Sequence, residues 1–206
     1  MATTQFRIGP DDHGRRMTLE EFHEAEEEPG YGYELARGVL EVTEVPSDPH
    51  WQVLDNLHEV FSRYRRRHPG AILRIGHGSE CLLWIPETAS GRNPDLAIVL
   101  PGTAKDARGR RPPQLAVEVV SRGREAHERD YVAKREEYLT FGLREYWIVD
   151  PRRRQVTVLI REEEGEASRW AEHLFCGEET IVSPLLAGFA ATVVELWADA
   201  ELDPEG

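Results

Sequence analysis

Apolar positions along this chain follow two periods. Leu54, Leu57, Val60, Phe61 and Tyr64 recur at helical spacing. They predict a helix that opens at Asp48-Pro49, with Asp48 as cap and Pro49 in the first turn, and ends near His68-Pro69-Gly70. A second helix is expected over 125–141, closed by Gly142. A third, shorter one follows Thr18, where Thr18 and Glu21 form a capping box. It runs into the acidic stretch 24–28, read as a solvated face and linker. The segment 31–45 has two β-prone arms around Gly38 and reads as a hairpin. Residues 71–85 read as one or two strands. The runs 95–100 and 115–120 are apolar on both faces, which suits strands at the centre of a sheet. Further strands are expected at 145–149, 155–160 and 170–175, with a turn at Asp150-Pro151 and a final short helix over 191–200. Helices interleaved with mixed strands predict an α/β (α+β) sandwich around a mixed β-sheet flanked by helices. Residues 1–16 read as a flexible tail, 17–198 as one domain, and 199–206 as an acidic tail.

Three polar residues break the apolar pattern at a cost. Glu118 lies inside the run LAVEVV, where alternation puts Ala116, Glu118 and Val120 on one face. An ionised carboxylate there needs a partner or a cation. A structural ion pair, or a strand face open to water, would also satisfy it. Asp95 follows Pro94 at a strand entrance. If its strand lies beside that of Glu118, both acids point into one pocket, and their repulsion calls for a hard cation such as Mg²⁺. Lys134 shares a helical stripe with Tyr131, Tyr138 and Phe141, so it faces the sheet. A lysine at a stripe's edge often only snorkels. Here, however, just two of the 25 basic residues are lysine, Lys105 and Lys134. A lysine kept in such a chain suits a task that needs a compact, movable ammonium. Glu34 and His50 read, taken alone, as a surface carboxylate and a hydrogen-bonded histidine.

Composition narrows the function classes. The 206 residues carry a formal charge of −13, with 40% hydrophobic and 31% charged residues. That is a globular domain and not a protein that coats nucleic acid nonspecifically. A local basic groove remains open to it, and the arginine-rich stretches 63–67, 108–111 and 152–154 are candidates. The longest near-apolar stretch, 185–194, is far too short to span a bilayer, so no membrane partner is expected. The first 16 residues have no apolar signal core, which points to a cytoplasmic protein. Cys81 and Cys176 have apolar neighbours and read as reduced, buried thiols.

The order of these pieces carries a resemblance. MTLEEF at 17–22, Tyr33-Glu34-Leu35 with Gly38 and Leu40, His50, Pro94-Asp95, the strand ending VEVVS at Ser121, Lys134 with Tyr138, Gly142, EYWIVDP at 145–151, and LLAGFAATVVELW at 185–197 together resemble the Uma2 family, a domain of unknown function linked to bacterial restriction-type endonucleases. The resemblance spans about 17–197 and is most specific over 117–151. It implies a restriction-endonuclease-like PD-(D/E)XK fold and Mg²⁺- or Mn²⁺-dependent cleavage of phosphodiester bonds in DNA. Position by position, Asp95 matches the PD acid and Glu118 the (D/E)XK acid. The lysine expected two residues later is absent, because Val120 stands there. In this family the following helix supplies it, which gives the role to Lys134. The metal would be held by Asp95, Glu118 and the backbone carbonyl of Val119, with Glu34 as a further ligand or a residue positioning water. His50 would contact the phosphate. Analogy with nucleases that pair to cut both strands implies a homodimer. Two alternatives share the same pattern: an inactive binding module on the nuclease fold, and a metal-dependent hydrolase of RNA or another phosphoester.

Overall fold

The computed structural model describes residues 6–44, 48–165 and 167–202. In chain order the elements are β1 (Arg7–Ile8), α1 (Leu19–Glu24), β2 (Glu26–Glu27), β3 (Tyr31–Ala36), β4 (Val39–Glu44), α2 (Asp48–Arg67), β5 (Arg74–Gly76), β6 (Leu83–Ile85), β7 (Ser90–Arg92), β8 (Leu96–Val99), β9 (Leu115–Val119), α3 (Arg124–Glu128), α4 (Lys134–Phe141), β10 (Glu145–Asp150), β11 (Gln155–Glu164), β12 (Ala167–Cys176), β13 (Thr180–Val182) and β14 (Ala190–Thr192). Arg129–Ala133, between α3 and α4, is a turn of π-helix.

The main sheet has six strands in the order β12-β11-β10-β9-β8-β5. β9 and β10 are parallel, joined over the sheet by α3, the π-turn and α4; the other neighbours are antiparallel. Every residue of β8, β9 and β10 is buried. Their alternate faces feed two cores. Leu115, Val117 and Val119 join Leu57 and Phe61 of α2, with Trp147 tilted against Phe61 and edge-on to Phe189. Ala116 and Val120 join Tyr138 of α4 and Leu83 and Ile85 of β6. Covering both faces is what makes the central strands read as unbroken apolar runs.

A second, four-stranded sheet, β4-β3-β7-β6, packs on the α4 side. Its β3–β4 hairpin turns at Arg37 and Gly38, both left-handed (φ 51° and 76°). That is the two-residue geometry whose twist matches the flanking strands. The capping box of α1 forms as expected: Thr18 N donates to Glu21 Oε2 (2.7 Å), and Glu21 N donates to Thr18 Oγ1 (3.1 Å).

Several expectations are corrected. The presumed tail 1–16 is structured from residue 7: β1 pairs with β2, and Ile8 is fully buried beside Leu35 and Leu40. Residues 1–5 lie outside the described residues. At the other end Ala200 and Leu202 pack on the core, so 199–202 is not a free tail; 203–206 lie outside the described residues. The helix expected over 191–200 is instead β14 followed by a short 3-10 helix, Val193–Trp197. The loop around Gly91 contains β7. Both cysteines are free, but Cys176 is exposed. No helix among the described residues is long and apolar enough to cross a membrane.

Ile8→Ala should lower stability by about 2–5 kcal/mol, the range for truncating a buried aliphatic side chain, in urea unfolding. A change near zero would restore the flexible-tail reading.

Candidate active site

Strand register brings the two acids together. Leu96 pairs with Val117 and Ala97 with Ala116, antiparallel. One step further along the ladder sets Asp95 opposite Glu118, and residues opposite each other project to the same face. Both line one cleft at this end of the main sheet. Asp95 Oδ2 accepts a hydrogen bond from the Val119 amide (2.7 Å), which fixes the carboxylate against the end of β9.

Lys134 enters from α4, the first residue after the π-turn. Its backbone N–H bonds the carbonyl of Arg129, five residues back. The ammonium is almost wholly buried (residue exposure 3%). It lies 2.9 Å from Glu118 Oε2, 3.2 Å from Glu34 Oε1 and 3.7 Å from Asp130 Oδ1. The Tyr138 hydroxyl, one turn along the same helix, donates to Glu118 Oε1. Burial pulls the lysine pKa down, but Glu118, Glu34 and Asp130 outweigh it, so the ammonium stays charged. Glu118 moves the other way. Burial pushes its pKa up to about 8 against the pull of Lys134, and the charges of Asp95, Glu34 and Asp130 add to the rise. Burial likewise raises Asp130.

Behind Lys134 lies a second buried cation. Arg92 of β7 has no exposure. It bonds Glu137 Oε2 through Nε (2.6 Å), and Glu41 (2.6 Å) and Glu34 (3.2 Å) through Nη1. Glu34 Oε1 also accepts from the Asn93 amide (2.8 Å). Burial would raise the pKa of Glu34, yet Lys134 and Arg92 hold it down at about 2. Four elements, β3, β7, β9 and α4, are thus tied through one ionic chain: Glu137–Arg92–Glu34–Lys134–Glu118.

His50, in the first turn of α2, closes the cleft. Its Nε2 is 3.5 Å from Asp95 Oδ2, and neither ring nitrogen has a hydrogen-bond partner although both are buried. A buried polar ring left open beside an acid suits a site that receives a further group.

The donor set fits a hard divalent ion. Mg²⁺ needs only one or two protein carboxylates and keeps waters or substrate oxygens for the rest. Asp95 and Glu118 supply two such acids, and Glu118 is a carboxyl whose charge lacks full compensation. Among the described residues no three His, Cys, Asp or Glu side chains converge into an all-protein cage.

All five residues singled out from the sequence, Glu34, His50, Asp95, Glu118 and Lys134, line this one cleft. Sequence reasoning missed Arg92, Asp130, Glu137 and the bond from Tyr138. Asp130 and Tyr138 stand four residues either side of Lys134, a spacing that could have paired them. Arg92 carried no signal, because its segment read as a loop.

Two outcomes follow from the electrostatics. Glu118 ionises near 4.5 in ordinary surroundings but near 8 in the fold. The folded state therefore holds an extra proton between those values, and this contribution to stability is lost as pH rises from about 4.5 to 8. In metal-free buffer, Glu118→Gln should become progressively more stable relative to the parent across that window, read by thermal unfolding; a difference independent of pH would contradict the shift. Arg92→Met, which strands three acids, should cost about 3–5 kcal/mol in denaturant unfolding, and a loss below 1 kcal/mol on that scale would show the cluster is dispensable.

Comparison with known proteins agrees with the fold. A solved structure from Anabaena variabilis ATCC 29413, described as "a putative nuclease belonging to DUF820", superposes with a TM-score of 0.65. The two are 16% identical, and the match covers 88% of this chain and 97% of that one. No curated protein matches the chain significantly. Residues 19–194 match the sequence model of Uma2, described as "Putative restriction endonuclease", and with most of its length inside that match the chain belongs to the Uma2 family.

Proposed function

We propose that this protein is a divalent-metal-dependent endonuclease that hydrolyses phosphodiester bonds in DNA. The observation that carries this reading is the meeting of Asp95 and Glu118, neighbours by strand register, with the buried ammonium of Lys134 in one open cleft. Family membership supports the reaction class.

Asp95 and Glu118 are the residues that would hold Mg²⁺ or Mn²⁺, with the Val119 carbonyl beside them. When bound, such an ion supplies positive charge at the phosphate and makes water easier to deprotonate. Lys134 stays protonated and rigid. Its Nζ, shared between Glu118 and Glu34, can orient the attacking water or stabilise charge on the phosphoryl oxygens in the transition state. Tyr138 fixes the rotamer of Glu118 from the other oxygen. The oxygens of Glu34 already meet Arg92, the Asn93 amide and Lys134, which favours a role in positioning Lys134 over metal ligation. His50, with open ring nitrogens at the cleft, suits contact with the phosphate. A homodimer, with one such centre on each strand, is the matching form for cutting both strands of a duplex together.

Lys134→Ala and Asp95→Asn should each reduce Mg²⁺- or Mn²⁺-dependent nicking of plasmid DNA by on the order of 10²–10³. Lys134→Ala strands buried acids and should also unfold at lower denaturant, so its nicking is read where circular dichroism shows it folded. Cleavage that survives either substitution contradicts the mechanism. A parent protein that binds DNA but never cuts it, with either metal, would make this a binding module.

A further inference from the structure

A second cavity opens at the other end of the central strands. Its lining includes Arg74 of β5, Lys105, Arg108, Arg110 and Arg111 of the loop 101–113, and Arg144 just ahead of β10. None of the six forms an ion pair with a carboxylate among the described residues. Acids outnumber bases in this chain by 38 to 25, so carboxylates were available to neutralise them. Carboxylates do reach into each of the other arginine-rich stretches, where Arg63 meets Glu195 (2.8 Å), Arg66 meets Glu59 (2.7 Å) and Arg153 meets Asp150 (3.3 Å), although Arg65, Arg67, Arg152 and Arg154 form no ion pair among the described residues. The second of the two lysines, Lys105, is also here, unused by the acidic cleft.

The loop that displays these charges is built, not slack. Asp106 Oδ1 accepts from the amides of Arg108 (3.0 Å) and Arg110 (2.8 Å). The Asp106 amide donates to the Arg110 carbonyl (2.7 Å), and Gly109, left-handed at φ 76°, donates to the Asp106 carbonyl (3.0 Å). Asp106 is thus spent on the main chain, and Glu80, the other acid lining the cavity, forms no ion pair with these bases among the described residues. The Arg108 guanidinium lies 3.7 Å above the Trp84 ring, and its Nη1 is buried without a hydrogen-bond partner. Burial and the charges of Arg108 and Arg110 push the nearby His23 imidazole below its usual pKa, a sign of local positive field.

The cavity and the acidic cleft adjoin at one residue. Ser79 lines both. Gln114, which accepts from the Arg144 amide (3.0 Å), lies four residues before Glu118 along β9, roughly 13 Å at about 3.3 Å per residue. That separation is a few phosphates along a nucleic-acid strand.

We propose that this basic cavity holds the phosphodiester backbone of the nucleic acid to be cut, a few nucleotides from the acids. The inference rests on the endonuclease reading and names the surface that would grip the substrate. Clustered, unpaired arginines on a fixed loop match a polyanion, and each phosphate they neutralise releases counterions.

The test is fluorescence anisotropy of a labelled duplex DNA with the full-length protein in EDTA, over a series of salt concentrations. The triple variant Arg74→Gln, Lys105→Gln, Arg110→Gln should bind at least about tenfold more weakly at low salt, with a log Kd–log salt slope shallower by about 2–3. The control variant Arg65→Gln, Arg67→Gln, Arg154→Gln removes the same charge elsewhere and should keep affinity and slope near those of the parent. In cleavage, the first variant should raise KM and keep kcat, because none of its three residues touches the acidic cleft. Equal weakening by both variants overturns the cavity assignment and leaves the endonuclease reading standing. Absence of DNA binding by the parent protein overturns both.

Discussion

A buried ammonium among carboxylates is the contact on which this architecture depends. Lys134 touches Glu118 of the main sheet, Glu34 of the smaller sheet and Asp130 of its own helical segment. Ion pairs this deep are poor sources of net stability, because desolvation takes back most of the Coulomb gain. What they fix is arrangement. One ammonium ties the small sheet, the crossover helix and the central strands together through Glu34, Asp130 and Glu118. Arg92 repeats the device one layer back by holding Glu34, Glu41 and Glu137. The acid facing the cleft, Glu118, is the one whose charge remains least compensated. The fold thus builds a rigid cationic point beside a pair of acids still ready for a divalent ion.

The sheet determines why those acids meet. β8 runs antiparallel to β9, and Asp95, the residue just before the strand, follows a proline. Asp95 therefore comes to rest beside Glu118 without being part of the apolar ladder, at the margin where a cleft can open. The parallel step from β9 to β10 demands a crossover helix, and that helix carries Lys134 and Tyr138 back over Glu118. Site and topology are one consequence of strand order.

Much of this was legible in the residues. The uninterrupted apolar runs foretold the central strands, and Glu118 stood out inside one of them. Lys134 was marked twice, by the scarcity of lysine and by the aromatic stripe. What stayed hidden depended on contacts between distant segments. Arg92 lies in a three-residue strand whose neighbours are serine and glycine, too short for any periodic signal. The π-turn before Lys134 has no compositional mark, although it sets the register that aims the ammonium. Ile8 looked like part of a polar tail because its burial is created by the small sheet, not by its own neighbours. Within the three arginine-rich stretches, only the structure shows which arginines meet a carboxylate.

The central claim is that Asp95 and Glu118 jointly bind a divalent ion beside a charged Lys134. Anomalous diffraction from a crystal soaked in Mn²⁺ tests it most directly. The account predicts an anomalous peak between the two carboxylates, lost in a crystal of Asp95→Asn. Saturating Mn²⁺ with no peak there, or a peak that persists without the Asp95 carboxylate, would contradict it.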